Sequence, residues 1–79
     1  MATEVLMPKL GLTMEQGTVM EWVKREGEAV RAGEVLFRIE MDKATMDIEA
    51  QTDGVVGPIL VQPGATVPVG TVVGYILAP

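Results

Sequence analysis

The feature that most constrains the fold of this chain is an internal repeat. A shift of 37 residues lines the sequence up with itself, and both halves then carry Gly-x-x-Val-x-x-Gly-x-x-(Leu/Val)-x-x-Ile. A spacing of three suits a helix, but the paired glycines and the β-branched residues favour strands. Because two copies are too few for a solenoid, the repeat predicts two interlocked halves of one β-sandwich, related by a pseudo-twofold axis. The aligned pairs are Gly17/Gly54, Val19/Val56, Val23/Leu60, Gly27/Gly64, Val30/Val67, Gly33/Gly70, Leu36/Val73 and Ile39/Ile76.

Short apolar intervals between turn residues place eight strands on the chain. Nine glycines and five prolines separate segments rich in Val, Ile and Leu, a composition typical of all-β proteins. Segment 18–24 does not alternate cleanly, which predicts a bulge, and Pro58 predicts an edge or bulge in the sixth strand. Trp22 is expected to pack in or beside the core. The predicted strands lie near 4–7, 17–24, 29–31, 35–41, 44–50, 54–61, 66–68 and 72–77.

Length and composition argue against several classes of function. The 79 residues suffice for one domain, 1–79, in which Ala78-Pro79 is expected to begin a linker. The sequence contains no cysteine and no histidine, so neither nucleophilic catalysis nor a transition-metal site is expected. A net charge of -5 disfavours nucleic acid as a partner. No apolar run approaches the roughly 20 residues that span a bilayer, so no membrane partner is expected either.

The region 35–50 predicts a β-hairpin with a two-residue loop at Asp42-Lys43. Apolar and polar residues alternate on both sides of that loop, and a slip of one residue would turn polar side chains into the core. This register places Lys43 at the exposed tip of the hairpin. The pairs expected to face inward are Met41/Ala44, Ile39/Met46, Phe37/Ile48 and Val35/Ala50, and the outward pairs are Glu40/Thr45 and Arg38/Asp47.

The residues alone leave two interpretations of Lys43 open. Asp42 suits a turn, whereas Lys43 has no conformational merit in a two-residue loop, where Asn-Gly or Asp-Gly is preferred. An exposed Asp-Lys turn is most often no more than a solvated turn. A poor turn residue at a well-defined tip is alternatively a sign that the amine itself has a function.

Several motifs resemble those of the lipoyl domains of 2-oxo-acid dehydrogenase complexes. Residues 40–44, Glu-Met-Asp-Lys-Ala, resemble the motif around the lysine that carries lipoic acid in that family. Residues 7–14, Met-Pro-Lys-Leu-Gly-Leu-Thr-Met, resemble the family's first strand and the loop after it. One departure is Met41, where the family more often has Thr. The resemblance covers essentially the whole chain, through Gly17, Trp22, Gly27, Val30, Gly33 and Gly54.

This resemblance implies a fold and a function. The fold is a flattened β-barrel or sandwich of two four-stranded antiparallel sheets, the lipoyl/biotinyl hammerhead type, with lipoic acid attached covalently to Lys43. In the family a lipoate ligase or lipoyl transferase adds the cofactor. The arm then carries acyl groups and reducing equivalents between a thiamine-dependent decarboxylase (E1), an acyltransferase core (E2) and dihydrolipoamide dehydrogenase (E3). The opening Met-Pro-Lys-Leu-Gly resembles pyruvate, acetoin or branched-chain complexes more than 2-oxoglutarate ones.

The resemblance also implies a surface that partners recognise. The loop leucines, Leu10 and Leu12, could alternatively cap the core. The carboxylates near the hairpin tip are expected to form a solvated surface rather than an acid–base pair or a metal site. The residues implied in recognition are Glu40, Asp42 and Ala44 beside the lysine and Leu10, Gly11, Leu12 and Thr13 in the loop. The carboxylates are Glu40, Asp42, Asp47 and Glu49.

The bacterial cytoplasm is the expected compartment, with the mitochondrial matrix as the alternative.

Two other functions remain open. A biotin carboxyl carrier shares the fold and a lysine hairpin, but that family has Met on both sides of its lysine, where this chain has Asp42 and Ala44. An unmodified structural or assembly domain of the same fold is the second alternative. A ligase assay on Lys43 separates the two modified carriers from the unmodified domain.

Overall fold

A computed structural model describes residues 2–41 and 43–78, and these fold into strands and turns. None of the described residues belongs to a helix that could cross a membrane. The eight strands found in these ranges match the eight expected, although five of them end one or two residues earlier and the first two also begin one or two residues earlier. They are β1 Ala2–Leu6, β2 Gln16–Trp22, β3 Ala29–Val30, β4 Val35–Met41, β5 Ala44–Glu49, β6 Gly54–Ile59, β7 Thr66–Pro68 and β8 Val72–Leu77.

The strands form two antiparallel sheets that pack as a sandwich. One sheet has the order β1-β8-β6-β3 and the other the order β5-β4-β2-β7. Exchanging β1 with β5, β8 with β4, β6 with β2 and β3 with β7 converts one sheet into the other. The all-β prediction and the pseudo-twofold relation are therefore confirmed. The two sheets do not close into a barrel. Of the two forms expected, a flattened barrel or a sandwich, the domain has the sandwich.

The glycines of the repeat explain how the halves interlock. Gly27 and Gly64 occupy matching turns with φ of 88° and 95°, a region that side chains with a Cβ rarely adopt. The Gly27 amide donates to the Val56 carbonyl at 2.8 Å, and the Gly64 amide donates to the Val19 carbonyl at 2.7 Å. Each half thus anchors its turn on the second strand of the other half.

The core lies between the sheets and includes residues from both halves. Phe37 is completely buried, and its ring stacks on Trp22 with centroids 4.8 Å apart. The Trp22 indole Nε1–H donates to the Val61 carbonyl at 2.9 Å, which satisfies the one polar group of this half-buried side chain. Trp22 therefore packs beside the core, as predicted. The buried apolar residues are Met7, Met14, Val19, Val30, Leu36, Phe37, Ile39, Ala50, Val56, Val61, Val73 and Ile76.

Two irregularities of the sheets were expected and are present. The register between β2 and β4 shifts between Val19 and Glu21, within the segment whose apolar residues do not alternate. The register between β6 and β8 shifts between Val56 and Ile59, around Pro58. A proline supplies no amide hydrogen to the ladder, so a bulge at this point avoids a lost hydrogen bond.

A third irregularity corrects one predicted pair of the hairpin. Val35 lies opposite Glu49 rather than Ala50, because the register between β4 and β5 shifts between Val35 and Phe37. The shift turns both Leu36 and Phe37 into the core, although strict alternation had placed Leu36 on the outward face. The extra buried leucine accounts for a bulge at this point, since it adds apolar area to the small core.

Candidate functional site

The hairpin tip has the predicted two-residue loop. Met41 pairs with Ala44, and beyond them Ile39 pairs with Met46, so the register expected from alternation is confirmed there. Lys43 is exposed at the tip, and its backbone has a φ of 66°. Among the described residues it is the one non-glycine position in the left-handed region. The other loop residue, Asp42, lies outside the described residues.

The outward face of the hairpin is held by one arginine. The Arg38 Nε–H donates to Asp47 Oδ1 at 2.9 Å, and its Nη1 donates to Glu21 Oε1 at 2.5 Å. These contacts join β2, β4 and β5. The hydrogen bond to Asp47, followed in size of effect by the hydrogen bond to Glu21, raises the pKa of the Arg38 guanidinium. The Arg38/Asp47 pair was predicted from the sequence, and the contact with Glu21 was not.

The inward face of β5 is less buried than its alternation predicts. Ala44 and Met46 are exposed and Ile48 is half-buried, whereas Ile39 opposite Met46 is fully buried. The physical reason is the position of β5 at the edge of its sheet, where only β4 pairs with it. The apolar side chains near the tip therefore extend past the part of the core that the other sheet covers.

The loop between β1 and β2 forms a compact turn on a buried methionine. The Leu10 amide donates to Met14 Sδ at 3.3 Å, and the Met14 amide donates to the Gly11 carbonyl at 3.2 Å. Met14 is buried, while Leu12 is 97% exposed and Leu10 is 42% exposed. Leu12 therefore does not cap the core. Met14 is the anchor that the sequence did not single out.

This loop lies against the hairpin. A shallow cleft of about 290 Å³ is lined by the loop and by one hairpin residue, Met41. The structure thus brings part of the expected recognition loop beside the strand that leads to Lys43. The residues of the loop that line the cleft are Gly11, Thr13, Met14, Glu15 and Gln16.

The acidic side chains described near the tip are exposed or paired. Glu40 and Glu49 are exposed, and Asp47 is paired with Arg38. Within residues 2–41 and 43–78, no group of acidic side chains is arranged to hold a metal ion. Nor is any polar side chain of these ranges buried.

The left-handed backbone of Lys43 predicts that this lysine lowers the stability of the fold. An L-residue in this region costs roughly 1–2 kcal/mol, whereas Asn adopts it more readily. We expect Lys43→Asn to raise the free energy of unfolding by about 0.5–1 kcal/mol. Urea denaturation of the two proteins, with Lys43→Ala as control, measures the difference. Equal stability of the Asn and Ala variants would contradict this account of the turn.

Comparison with known proteins agrees with this geometry. A biotin/lipoyl family model, described as "Biotin-requiring enzyme", matches residues 3–76. The solution structure of the lipoyl domain of the 2-oxoglutarate dehydrogenase complex from Azotobacter vinelandii has a TM-score of 0.77 at 35% identity. That match covers 94% of each chain. The chain belongs to the lipoyl-domain family. This assignment confirms the expected class of function, a swinging-arm carrier.

The relatives of this lipoyl domain are much longer proteins. It is 48% identical over 64 residues to the pyruvate dehydrogenase E1 component subunit beta of Rhizobium meliloti, covering 81% of this chain and 14% of the relative. It is 40% identical over 77 residues to the dihydrolipoyllysine-residue acetyltransferase component of the pyruvate dehydrogenase complex of Rickettsia conorii, covering 96% and 19%. The chain therefore spans less than a fifth of either relative.

A second solved structure matches the lipoyl domain with a higher TM-score and a lower identity. The urea carboxylase of Kluyveromyces lactis has a TM-score of 0.80 at 27% identity, and the match covers 98% of this chain and 6% of that one. The sandwich is thus common to proteins of different activity. The residues at the hairpin tip, rather than the fold, must decide which group the lysine carries.

Proposed function

We propose that the Lys43 amine carries lipoic acid in amide linkage and that the domain moves acyl groups and electrons within a 2-oxo-acid dehydrogenase complex. The observation that supports this most is the position of Lys43, exposed at the tip of a two-residue loop. When bound, lipoic acid supplies the dithiolane chemistry that a chain without cysteine cannot supply. The role of the domain in the transfer is to carry and position the arm.

The strands of the hairpin give the Lys43 side chain a defined starting point. Phe37 and Ile39 anchor β4 in the core, and Arg38 fastens β5 and β2 to it from the outside. The strands on either side of the loop are therefore fixed to the core and to each other, and Lys43 between them is exposed. A carrier needs this combination, because a defined origin and a flexible arm raise the effective concentration of the cargo at each partner.

Two surfaces flank the lysine and are proposed to be read by partners. Glu40, Asp42 and Ala44 lie within three residues of it in sequence. Gly11 and Thr13 of the loop 10–13 line a cleft together with Met41 of the hairpin. The exposure of Leu12 supports a binding role for this loop, since a large apolar side chain in water contributes free energy only when a partner covers it. The proposed partners are a lipoate ligase or lipoyl transferase, the decarboxylase, the acyltransferase core and dihydrolipoamide dehydrogenase.

Pyruvate is the proposed 2-oxo acid. The two relatives described above at 40% identity or more belong by name to pyruvate dehydrogenase, whereas the structural match at 35% belongs to the 2-oxoglutarate complex. We expect the domain, spanning 1–79, to be part of an acyltransferase chain, although the Rhizobium relative is a decarboxylase subunit. The bacterial origin of both relatives supports a bacterial cytoplasm as its compartment, ahead of the mitochondrial matrix.

Reductive acylation distinguishes the substrates. The lipoylated domain is incubated with pyruvate dehydrogenase decarboxylase and pyruvate, and separately with 2-oxoglutarate dehydrogenase decarboxylase and 2-oxoglutarate. We expect acylation by the first enzyme to be faster by about tenfold or more, a difference of about 1.4 kcal/mol in the activation free energy. Equal rates, or a preference for the second enzyme, would contradict the assignment to pyruvate. Intact-protein mass gives the extent of acylation at each time.

Biotin is the second candidate, because the urea carboxylase match shares the whole sandwich. The neighbours Asp42 and Ala44 oppose it, since biotin carriers have Met on both sides of the lysine. Incubation with biotin, ATP and a biotin ligase tests this candidate directly. A biotinyl increment on the folded domain, with no lipoyl increment under matched conditions, would replace lipoic acid by biotin in this proposal.

A further inference from the structure

The loop between β1 and β2 is held at its centre by one side chain, that of Met14. On either side of the loop, the backbones of Met7 and Glu15 are hydrogen-bonded to the segment 69–71 that joins β7 to β8. The two hydrogen bonds described within residues 8–14 both involve Met14, one through its amide and one through its thioether. The ends of the loop are thus fixed by the backbone, and its centre depends on a methionine.

The Met14 side chain connects the loop to the second strand. Its Sδ accepts the Leu10 amide hydrogen, with N and S 3.3 Å apart. Its Cε lies against Gly17 of β2, where an added Cβ would come within 3.1 Å of it. Because glycine leaves this space open, the methionine reaches from the strand to the loop backbone. A leucine would fill a similar volume but has no atom that accepts a hydrogen bond.

We propose that Met14 is a positioning residue for reductive acylation, because its thioether holds the loop in the conformation that presents Leu12 to the decarboxylase. Leu12 is 97% exposed, whereas Met14 is 6% exposed. The methionine therefore offers a partner almost no surface and acts through the leucine. This inference rests on the proposed function and on the proposed recognition of the loop by partners.

Holding the loop in place lowers the cost of binding. A loop that is already ordered in the free domain loses little conformational freedom when a partner binds it. Without the thioether, only a fraction of the molecules has the loop in the binding conformation, and the apparent affinity falls by that fraction. A thioether is a weak acceptor, so the expected change in KM is severalfold. The kcat value depends on the arm and on the partner's active site, which a substitution of Met14 leaves unchanged.

Met14→Leu tests the role of the thioether. The substitution keeps the apolar volume and costs little stability. With the lipoylated domain as substrate of a pyruvate dehydrogenase decarboxylase, we expect KM to rise about threefold or more and kcat to change by less than about twofold. The control is Met7→Leu, since Met7 is also buried and lies against Gly17, but the Leu10 amide bonds to Met14. Equal KM values in the two variants would overturn the proposal.

Hydrogen exchange of the Leu10 amide reports on the contact itself. We expect this amide to exchange with water about threefold faster or more in Met14→Leu than in the parent domain, and at the parent rate in Met7→Leu. Nitrogen-15 NMR of the unmodified domain measures the rates. An unchanged rate in Met14→Leu would mean that the thioether does not hold the loop, and would overturn the proposal.

A double-mutant cycle shows whether Met14 acts through Leu12. Leu12→Ser removes the apolar side chain, and we expect its KM to lie about tenfold above that of the parent domain. In Met14→Leu/Leu12→Ser we expect no further increase, because a loop without Leu12 has no apolar side chain left to present. Effects that multiply in the double variant would overturn the proposal.

The cycle also separates this inference from the proposed function. Intact mass first establishes that each domain carries one lipoyl group. An unchanged KM in Leu12→Ser would overturn the inference about Met14 and leave the carrier function intact. Absence of the lipoyl increment on the folded parent domain would instead contradict both proposals.

Discussion

Moving the lysine by one residue is expected to abolish lipoyl attachment. In the double variant Lys43→Ala/Ala44→Lys, the amine leaves the turn and begins β5, where its backbone is paired with Met41. The side chain then leaves from an extended strand on its inward face rather than from the left-handed turn. A ligase that reads the placement of the amine will not modify it. Intact-protein mass after incubation with lipoate, ATP and ligase measures the result.

The matched control for this variant is Ala44→Lys alone. It carries the same new lysine and lacks Ala44 in the same way but retains Lys43, so it measures what the loss of Ala44 alone costs the ligase, and we expect it to be modified to a clearly greater extent than the double variant. Ala44 is exposed, and its replacement by lysine costs little stability. Equal modification of the double variant and the parent would mean that sequence near the hairpin, rather than the placement of the amine, directs the ligase.

Removing the ring of Phe37 is expected to have the largest effect on stability. The side chain is 0% exposed and stacks on Trp22, so Phe37→Ala leaves a cavity and costs about 3–5 kcal/mol. A domain of this length has a net stability of about 4–12 kcal/mol. We therefore expect the variant to be largely unfolded or close to it. Urea denaturation followed by Trp22 fluorescence measures the loss.

Met20→Ala is the control for the core prediction. Met20 lies on the same strand as Trp22 but is 44% exposed, so its truncation is expected to cost less than about 1 kcal/mol. A similar loss in both variants would contradict the assignment of Phe37 to a tightly packed core. So would a loss below about 1 kcal/mol in Phe37→Ala.

Much of the fold could be predicted because the internal repeat indicates where the turns lie and the apolar–polar alternation indicates the register of the strands. Gly33 and Gly70 were aligned by the repeat, and both occupy turns with positive φ, of 92° and 86°. The hairpin register from Met41/Ala44 to Phe37/Ile48 followed from side chains that must alternate between core and solvent. In both cases the residue type indicates the local structure: glycine indicates a positive φ, and an apolar side chain indicates the face of the strand that is buried.

The remaining features depend on strands that are distant in sequence. The bulge between Val19 and Glu21 brings Glu21 opposite Arg38, and regular pairing would have placed Met20 there. Alternation within the hairpin alone could not reveal that partner. The exposure of Met46 likewise depends on how far the other sheet extends over β5. The sequence of β5 alone does not predict that extent.

The site was predicted less completely than the fold. Lys43 was placed correctly at an exposed tip, but its left-handed backbone could not be read from a residue type that does not favour it. The exposure of Leu12 settled which way the loop leucine points. The loop turns on Met14, which is buried and whose Cε lies so close to Gly17 that a Cβ there would come within 3.1 Å of it.

The most direct test of Lys43 as the carrier residue is intact-protein mass after incubation with lipoate, ATP and a lipoate ligase. We expect one lipoyl increment on the parent domain and none on Lys43→Arg. The two other lysines are internal controls for modification at the wrong amine. Lys9 is exposed in a loop, and the Nζ of Lys24 lies 3.6 Å from Oε2 of Glu34. No increment on the folded parent, or an increment retained in Lys43→Arg, would contradict the account.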